Sequence, residues 1–271
     1  MKIKHFTHIN LKPTKKHEIS FNPLDLAKDI DIPKESIEFA KEYQLSKKIS
    51  DEYEQDLMIG LENEIIYGFD YLHNNDKIII PELNPIMIFF SNAVMSHRKL
   101  IEFREELLNN SPTVKNYKKN GIDANRFGNF FRMASNCIIN LQTTLESFAN
   151  RLIPDDHQYL DKKGNMFDPT IFDKLDKALP EIKKRRFKSA FKKQNILIRD
   201  LIELRNKIIH LKPAHQKTNT KYKVVYRMLL SFKYTETINA VENFINFYEP
   251  NLIEKCNCGK EFYFDVLEKK K

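Results

Sequence analysis

Glycine, cysteine and long apolar runs are all scarce in this chain of 271 residues. Its 6 glycines argue against a glycine-rich nucleotide loop, and none of the glycine motifs that cradle phosphates is present. Its 3 cysteines do not make a disulfide framework. We therefore expect a protein of the reducing cytoplasm, without a disulfide scaffold and without a nucleotide cofactor held by such a loop.

Segments that carry a protein to or across a membrane are missing as well. Met1–His5 has no apolar stretch of the kind found in secretory signals. The longest apolar run, Pro85–Phe90, is far too short to cross a bilayer. We expect no membrane partner.

Positive charge is concentrated in one part of the sequence. The chain has a net charge of +8. Residues 181–223 hold 14 Lys and Arg against 3 Asp and Glu, whereas residues 1–110 hold 14 against 19. A basic surface raises the local concentration of polyanions, which favours RNA as a partner. A lysine-rich face that only meets solvent is the alternative, and the counts do not choose between the two.

The spacing of apolar residues predicts helices along most of the chain, with a short strand at 77–80 and a turn leading into another short strand within 256–264. The clearest helix has an apolar residue every three or four positions from Phe127 to Leu152. We predict an all-α fold: a helical bundle in residues 85–250, a mainly helical N-terminal segment of unknown role in 1–84, and a short tail in 251–271. The predicted helices are 33–45, 51–71, 85–108, 127–153, 169–179, a helix that ends near 211, and 235–248.

The stretch from Leu201 to His210 places a permanent cation, an amide and an imidazole at one helix end. Arg205 lies on an apolar face, because the residues three and four positions away on both sides are Leu or Ile. A guanidinium in such a place is costly to desolvate unless an anion or hydrogen-bond acceptors meet it. His210 falls in the last turn, because Pro213 disfavours helical geometry just before it.

These residue types suit RNA cleavage without a metal. A group must take the proton of the 2′-hydroxyl, another must protonate the departing 5′-oxygen, and cations must stabilise the charged phosphorane. Imidazole ordinarily changes charge near neutral pH, so His210 suits the proton transfers. Arg205 suits bidentate phosphate contact, and Asn206 suits orienting the phosphate or the imidazole. Positions five apart lie about 140° around a helix, so Arg205 and His210 point in different directions.

Arg205-Asn206-x-x-x-His210, at the end of a helix in a helical chain, resembles the Arg-to-His motif of the HEPN superfamily. The resemblance includes the segment Leu145–Pro154, which looks like the second helix of several prokaryotic HEPN families, and it covers about residues 85–250. It implies a metal-independent endoribonuclease in which two motifs meet across a homodimer interface. The products then carry a 2′,3′-cyclic phosphate and a 5′-hydroxyl.

The resemblance also implies roles for the residues around the motif. Polar residues of the second helix often face the motif in this superfamily, which assigns Glu146 and Asn150 to substrate binding. Lys207 and Lys212 beside the motif are assigned to RNA contact. Such families often act in toxin–antitoxin or antiphage systems, so an antitoxin or regulatory partner is part of the expectation.

Less specific interpretations of the same residues remain open. Arg205 could extend to the surface and His210 could cap the helix, with no catalytic use. Glu146 and Asn150 could simply face solvent. The corresponding functions are a non-catalytic HEPN-like module that binds nucleotide or RNA, and a helical interaction protein.

A metal site is not predicted. Cys256 and Cys258 offer two thiolates, whereas a structural zinc site needs four ligands. We therefore expect neither a metal nor a cofactor.

Overall fold

The computed structural model describes residues 9–20, 31–116, 123–211 and 222–256. These residues form two compact units. The first is Leu11–Pro85, and the second comprises the described residues from Ile86 onward together with Ile9 and Asn10. Ile9 pairs with Lys255, and the Asn10 N–H donates to the Glu254 carbonyl at 3.0 Å. The start of the described chain therefore belongs to the second unit.

The unit Leu11–Pro85 contains a four-stranded antiparallel sheet, so the all-α prediction is wrong and the fold is mixed α/β. The central strand pairs with each of the other three, with Gly68 opposite Leu57 on one side and Pro81 on the other. The elements are β1 (Lys16–Glu18), α1 (Lys34–Leu45), β2 (Leu57–Gly60), β3 (Glu64–His73) and β4 (Asp76–Pro81), with a 3₁₀ turn at Ser50–Tyr53 between α1 and β2.

The helix predicted over 51–71 is replaced by the 3₁₀ turn and two strands. Ile65, Phe69 and Leu72 have helical spacing, but β3 is rich in the β-branched and aromatic residues that favour strands. Its exposure alternates with a period of two, as at buried Asp70 and exposed Phe69. Asn74 and Asn75 have φ of 52° and 71°, which closes a two-residue hairpin into β4. The strand predicted at 77–80 lies within β4.

A buried carboxylate joins α1 to the sheet. Asp70 is 6% exposed, and its carboxylate accepts hydrogen bonds from the Ser50 N–H at 3.0 Å, the Ser50 hydroxyl at 2.7 Å and the Tyr43 hydroxyl at 2.6 Å. Lys77 Nζ lies 3.6 Å from the Tyr43 ring centroid and donates to the Tyr43 carbonyl. Burial alone raises the pKa of Asp70, but the hydrogen bonds from Tyr43 and Ser50 outweigh it and lower the pKa below its ordinary value.

Asp70→Asn tests this network. The amide NH₂ cannot accept a hydrogen bond, so we expect the free energy of unfolding at pH 7 to fall by roughly 1–3 kcal/mol. The lowered pKa means that the carboxylate stabilises the fold above the unfolded-state pKa of about 3.9, and that this contribution is lost as pH falls through the folded-state value. Urea unfolding at neutral pH and below about pH 4 measures both effects. Asp76→Asn, at an exposed carboxyl in the same hairpin, is the control; equal losses in the two variants would contradict the assignment.

Gly68 tests the strand packing. A Cβ on Gly68 would lie 2.7 Å from Ile59 Cδ1 and 2.8 Å from the Ile80 carbonyl oxygen, so Gly68→Ala forces the strands apart. We expect it to lower the free energy of unfolding by about 1–3 kcal/mol. At Gly128, on an exposed helical position where a Cβ meets nothing within 4 Å, alanine should instead raise it by up to about 1 kcal/mol. Urea unfolding of both variants measures whether the two substitutions change the free energy of unfolding in opposite directions. A Gly68→Ala protein as stable as its parent would refute the close packing.

The second unit is helical. A π-helical turn at Lys174–Ala178 joins the helix that ends at Asp173 to the helix that begins at Leu179. Within the described ranges, no helix has the length and apolarity that crossing a bilayer requires. The helices are α2 (Pro85–Asn110), α3 (Ala124–Leu152), α4 (Ile171–Asp173), α5 (Leu179–Lys183), α6 (Phe187–Ala190), α7 (Lys192–Ile209), α8 (Tyr222–Ser231) and α9 (Tyr234–Tyr248).

The core of this unit lies where α7 and α9 pack against α3. Asp123 begins α3, since its carboxylate accepts the Asn125 N–H at 2.8 Å. Aromatic rings fill one end of the core, with centroids 6.2 Å apart for Phe148 and Phe244, and 5.0 Å apart for Phe187 and Phe244. This packing fixes α7, the helix that carries the predicted motif.

Candidate functional site

The predicted motif lies at the C-terminal end of α7. Leu201, Leu204 and Ile208 are buried on one side of this helix. The helix ends at Ile209, and His210 is its C-cap, with φ of −102° and ψ of 32°. The backbone N–H of His210 donates to the Asn206 carbonyl at 3.1 Å, while the residue as a whole is exposed. The imidazole therefore stands at the helix end in contact with solvent.

Arg205 is a half-buried cation without a carboxylate partner. Its Nη1 donates to Asn206 Oδ1 at 3.3 Å. Its Nε is buried and has no hydrogen-bond partner, and no carboxylate in the described residues forms an ion pair with it. Buried donors normally have acceptors, so this guanidinium keeps donor capacity for an anion. Of the four apolar neighbours predicted to share its face, Ile209 is 47% exposed.

Arg199, six positions earlier on α7, shows what a structural arginine looks like in this protein. Its Nη1 lies 2.9 Å from Asp176 Oδ2, and its guanidinium carbon lies 4.7 Å from the Phe172 ring centroid. Both the charge and the flat face of Arg199 are therefore used within the fold. Arg205 has no such arrangement.

The two residues after Arg205 are exposed. The Asn206 side chain accepts from Arg205, and no hydrogen bond within the described chain joins it to the His210 imidazole. Lys207 Nζ lies 3.7 Å from Met228 Sδ, which connects the motif turn to α8. Lys212, also predicted to contact RNA, lies outside the described residues.

Glu146 and Asn150 on α3 have partners of their own. Glu146 is half-buried and accepts from Gln142 Nε2 at 3.4 Å. Asn150 is exposed and accepts from Lys174 Nζ at 2.7 Å. No hydrogen bond within the described chain connects either residue to Arg205, so their assignment to substrate binding stays a prediction.

Gln142 is a polar residue of α3 that the sequence interpretation missed. It is 3% exposed, and its Oε1 is buried without a hydrogen-bond partner. The sequence does carry a signal for it, since Gln142 lies one turn before Glu146 within the apolar stripe of α3. An unpaired acceptor on α3 and the unpaired Nε of Arg205 thus occur on two helices that pack together.

Exposed cations extend from the motif onto α8. Lys207 on α7 and Lys223 and Arg227 on α8 are all exposed. Tyr226, between the two cations of α8, packs on α3, with its ring 4.9 Å from that of Phe127. The surface that surrounds the motif is therefore suited to a polyanion.

The chemistry that one chain offers here is incomplete for strand cleavage. Arg205 and Lys207 supply positive charge, and His210 supplies one group for proton transfer. Cleavage needs one proton removed and another delivered, so a second imidazole or an equivalent group must enter the site.

The cysteines of the described chain lie outside the motif. Cys137 is fully buried in α3, and burial raises the pKa of its thiol. Cys256 is half-buried, and Cys258 lies outside the described residues. Among the residues described, no three His, Cys, Asp or Glu side chains are grouped as a metal ion would require.

No protein-family model, curated protein or solved structure matches this chain. The resemblance to the HEPN superfamily therefore depends on the motif residues and their helical context.

The two arginines of α7 should respond oppositely to removal of charge. Arg205→Met removes a partly desolvated, unpaired cation, so we expect the free energy of unfolding to change by less than about 0.5 kcal/mol or to rise. Arg199→Met breaks the ion pair with Asp176 and should lower the free energy of unfolding by about 1 kcal/mol. Urea unfolding of the two variants makes the comparison, and a larger loss for Arg205→Met would show that Arg205 is structural.

Proposed function

We propose that this chain is a metal-independent endoribonuclease of the HEPN type. Its site is the C-terminal turn of α7, completed by the same turn of a second copy. Arg205 contacts the scissile phosphate, Asn206 orients it, and His210 transfers protons. Lys207 and Lys212 contact neighbouring phosphates of the RNA.

The observation that carries this proposal is that Arg205 has no carboxylate partner among the described residues and that its buried Nε has no acceptor there. A half-buried guanidinium with a free donor is unfavourable unless an anion binds it, and the same helix shows with Arg199 that the fold supplies a carboxylate where one is needed. A phosphodiester matches the fork of donors on a guanidinium. The exposed imidazole of His210 lies at the same helix end.

The proposed reaction needs both copies. One His210 takes the proton of the 2′-hydroxyl, the 2′-oxygen attacks phosphorus, and the bond from phosphorus to the 5′-oxygen breaks. The His210 of the second copy gives a proton to the departing oxygen. The two arginines stabilise the charge that develops on the phosphorane. The products are a 2′,3′-cyclic phosphate and a 5′-hydroxyl.

Exposed apolar side chains near the motif support pairing with a second copy. Ile209, next to His210, is 47% exposed, and Val224 on α8 is 54% exposed. A two-fold axis brings the same patch of each copy together. The apolar side chains of both copies would then be buried at the interface, and the two motifs would face each other. By the same resemblance we extend the proposal to a toxin or antiphage effector, with an antitoxin or regulatory partner.

His210→Ala tests the proposal. We expect purified parent protein to cleave mixed RNA in EDTA, and the variant to cleave it roughly 10²–10⁴-fold more slowly, because the proton transfers are lost. Circular dichroism and sedimentation should show the fold and the dimer unchanged. His73→Ala, at an exposed histidine of β3, is the matched control and should cleave like the parent. Equal cleavage by His210→Ala would refute the assignment.

Filter binding separates the alternatives if the parent cuts no RNA. Salt-sensitive RNA binding without cleavage would replace the nuclease by a non-catalytic nucleotide- or RNA-binding module, since phosphate contacts weaken as salt rises. If the protein neither cleaves nor binds RNA, the remaining alternative is a helical interaction protein.

A further inference from the structure

We infer that the N-terminal end of α7 forms a second anion site, a pocket that binds the phosphate of a nucleotide. This goes beyond the proposed nuclease centre. The helix has 18 residues, so its two ends are about 27 Å apart. The pocket is a cavity of about 430 Å³ bordered by the π-helical turn, α5, α6, α7 and α9.

The first feature of the pocket is an uncapped helix start. Phe191 is the N-cap of α7, and it cannot accept a hydrogen bond through its side chain. The first N–H of α7 to form an intrahelical hydrogen bond is that of Asn195, which donates to the Phe191 carbonyl at 3.0 Å. The N–H groups of the preceding turn point out of the helix, where its dipole favours an anion.

The side chain of Asn195 provides evidence that does not depend on the helix end. Asn195 lines the cavity and is only 6% exposed. Its side-chain amide forms no hydrogen bond with any residue that the structure describes. The amide atoms are not among the buried atoms that lack a partner, so they remain accessible from the cavity, where a phosphate oxygen would accept from the NH₂ group.

The charges around the cavity have the sign that phosphate requires. Arg186, Lys188 and Lys192 line it and are exposed, and none of them forms an ion pair within the described parts of the chain. The acidic residue in the lining, Asp176, already has a partner, because its carboxylate lies 2.9 Å from Arg199 Nη1. The uncompensated charge at the cavity is therefore positive.

Hydrogen bonds of Tyr248 hold part of the pocket lining in place. The Tyr248 hydroxyl donates to the Arg185 carbonyl at 3.3 Å and lies 3.3 Å from the Phe187 nitrogen, whose N–H it accepts. These bonds fix the segment that presents Arg186. A site formed in advance loses less conformational freedom when ligand binds.

Apolar side chains in the lining lead us to expect a nucleotide rather than bare phosphate. Phe187, Phe244 and Tyr248 line the pocket with aromatic surface, next to Leu175 and Pro180. Small-molecule sites combine such apolar walls with a few polar groups, and the volume is within their usual range. A base or ribose would cover this surface while the phosphate meets Asn195 and the lysines.

Calorimetric titration of the full chain with 5′-AMP tests the inference. We expect saturable binding that is at least about tenfold weaker in the double variant Lys188→Gln, Lys192→Gln, because charge-assisted hydrogen bonds to phosphate are removed. Lys193→Gln is the matched control: Lys193 is an exposed neighbour that lines a different cavity, and its loss should leave binding unchanged. Asn195→Leu should also weaken binding while the fold stays as stable as the parent, because the amide has no partner to lose.

Two further probes identify the source of the phosphate. Inorganic phosphate and a 2′-O-methyl oligoribonucleotide, which has no 2′-hydroxyl to attack, are titrated into the same variants. AMP binding tighter than both supports a free nucleotide, and tighter binding of the oligomer through the same lysines supports an RNA backbone phosphate. No saturable binding of any probe in the millimolar range would overturn the inference, as would an equal loss in Lys193→Gln. The assay measures binding without cleavage, so its result is independent of the His210→Ala test.

Discussion

Burial of one face of α7 against α3 and α9 fixes the positions of both candidate sites. Leu201 and Leu204 have at most 1% of their surface exposed, and burial of each such side chain contributes about 1.5–3 kcal/mol. The apolar face cannot rotate without losing that contribution. Arg205, one position after Leu204, is therefore held partly out of water even though no carboxylate of the described residues meets it. The same constraint keeps Asn195 in the wall of a cavity at the other end of the helix.

Sequence patterns predicted the helices well where one face of a helix is buried. The bounds of α2, α3 and α9 and the end of α7 lie close to the predicted positions, because a three/four spacing of apolar residues follows directly from packing on one side. The pattern failed in β3, where Ile65, Phe69 and Leu72 happen to have helical spacing. Asp70 also occupies an inward position of that strand, so the alternation of apolar and polar residues was concealed.

The sequence indicated which residues belong to the candidate site, but not which side chains they contact in the fold. The motif and its place at a helix end can be read from the chain, because Arg205, Asn206 and His210 are close in sequence. Partners distant in sequence cannot be read in this way. Asp176 neutralises Arg199 from 23 positions away, and Lys174 occupies Asn150 from 24 positions away. Only the folded arrangement distinguishes Arg199, which has a carboxylate partner, from Arg205, which has none among the described residues.

That distinction separates polar groups that hold the fold from those available for ligands. Asp70 is buried, and its carboxylate accepts from Ser50 and Tyr43, so its burial is compensated inside the protein. Arg205 Nε is withdrawn from water without compensation from the described residues, and the Asn195 amide, in the lining of a cavity, has no hydrogen-bond partner among them. Natural proteins keep polar groups without hydrogen-bond partners chiefly where a function requires them. Asp70 belongs to the acidic part of the chain, whereas Arg205 and Asn195 belong to the basic stretch 181–223 and can each donate a hydrogen bond. An anion is the ligand that they have in common.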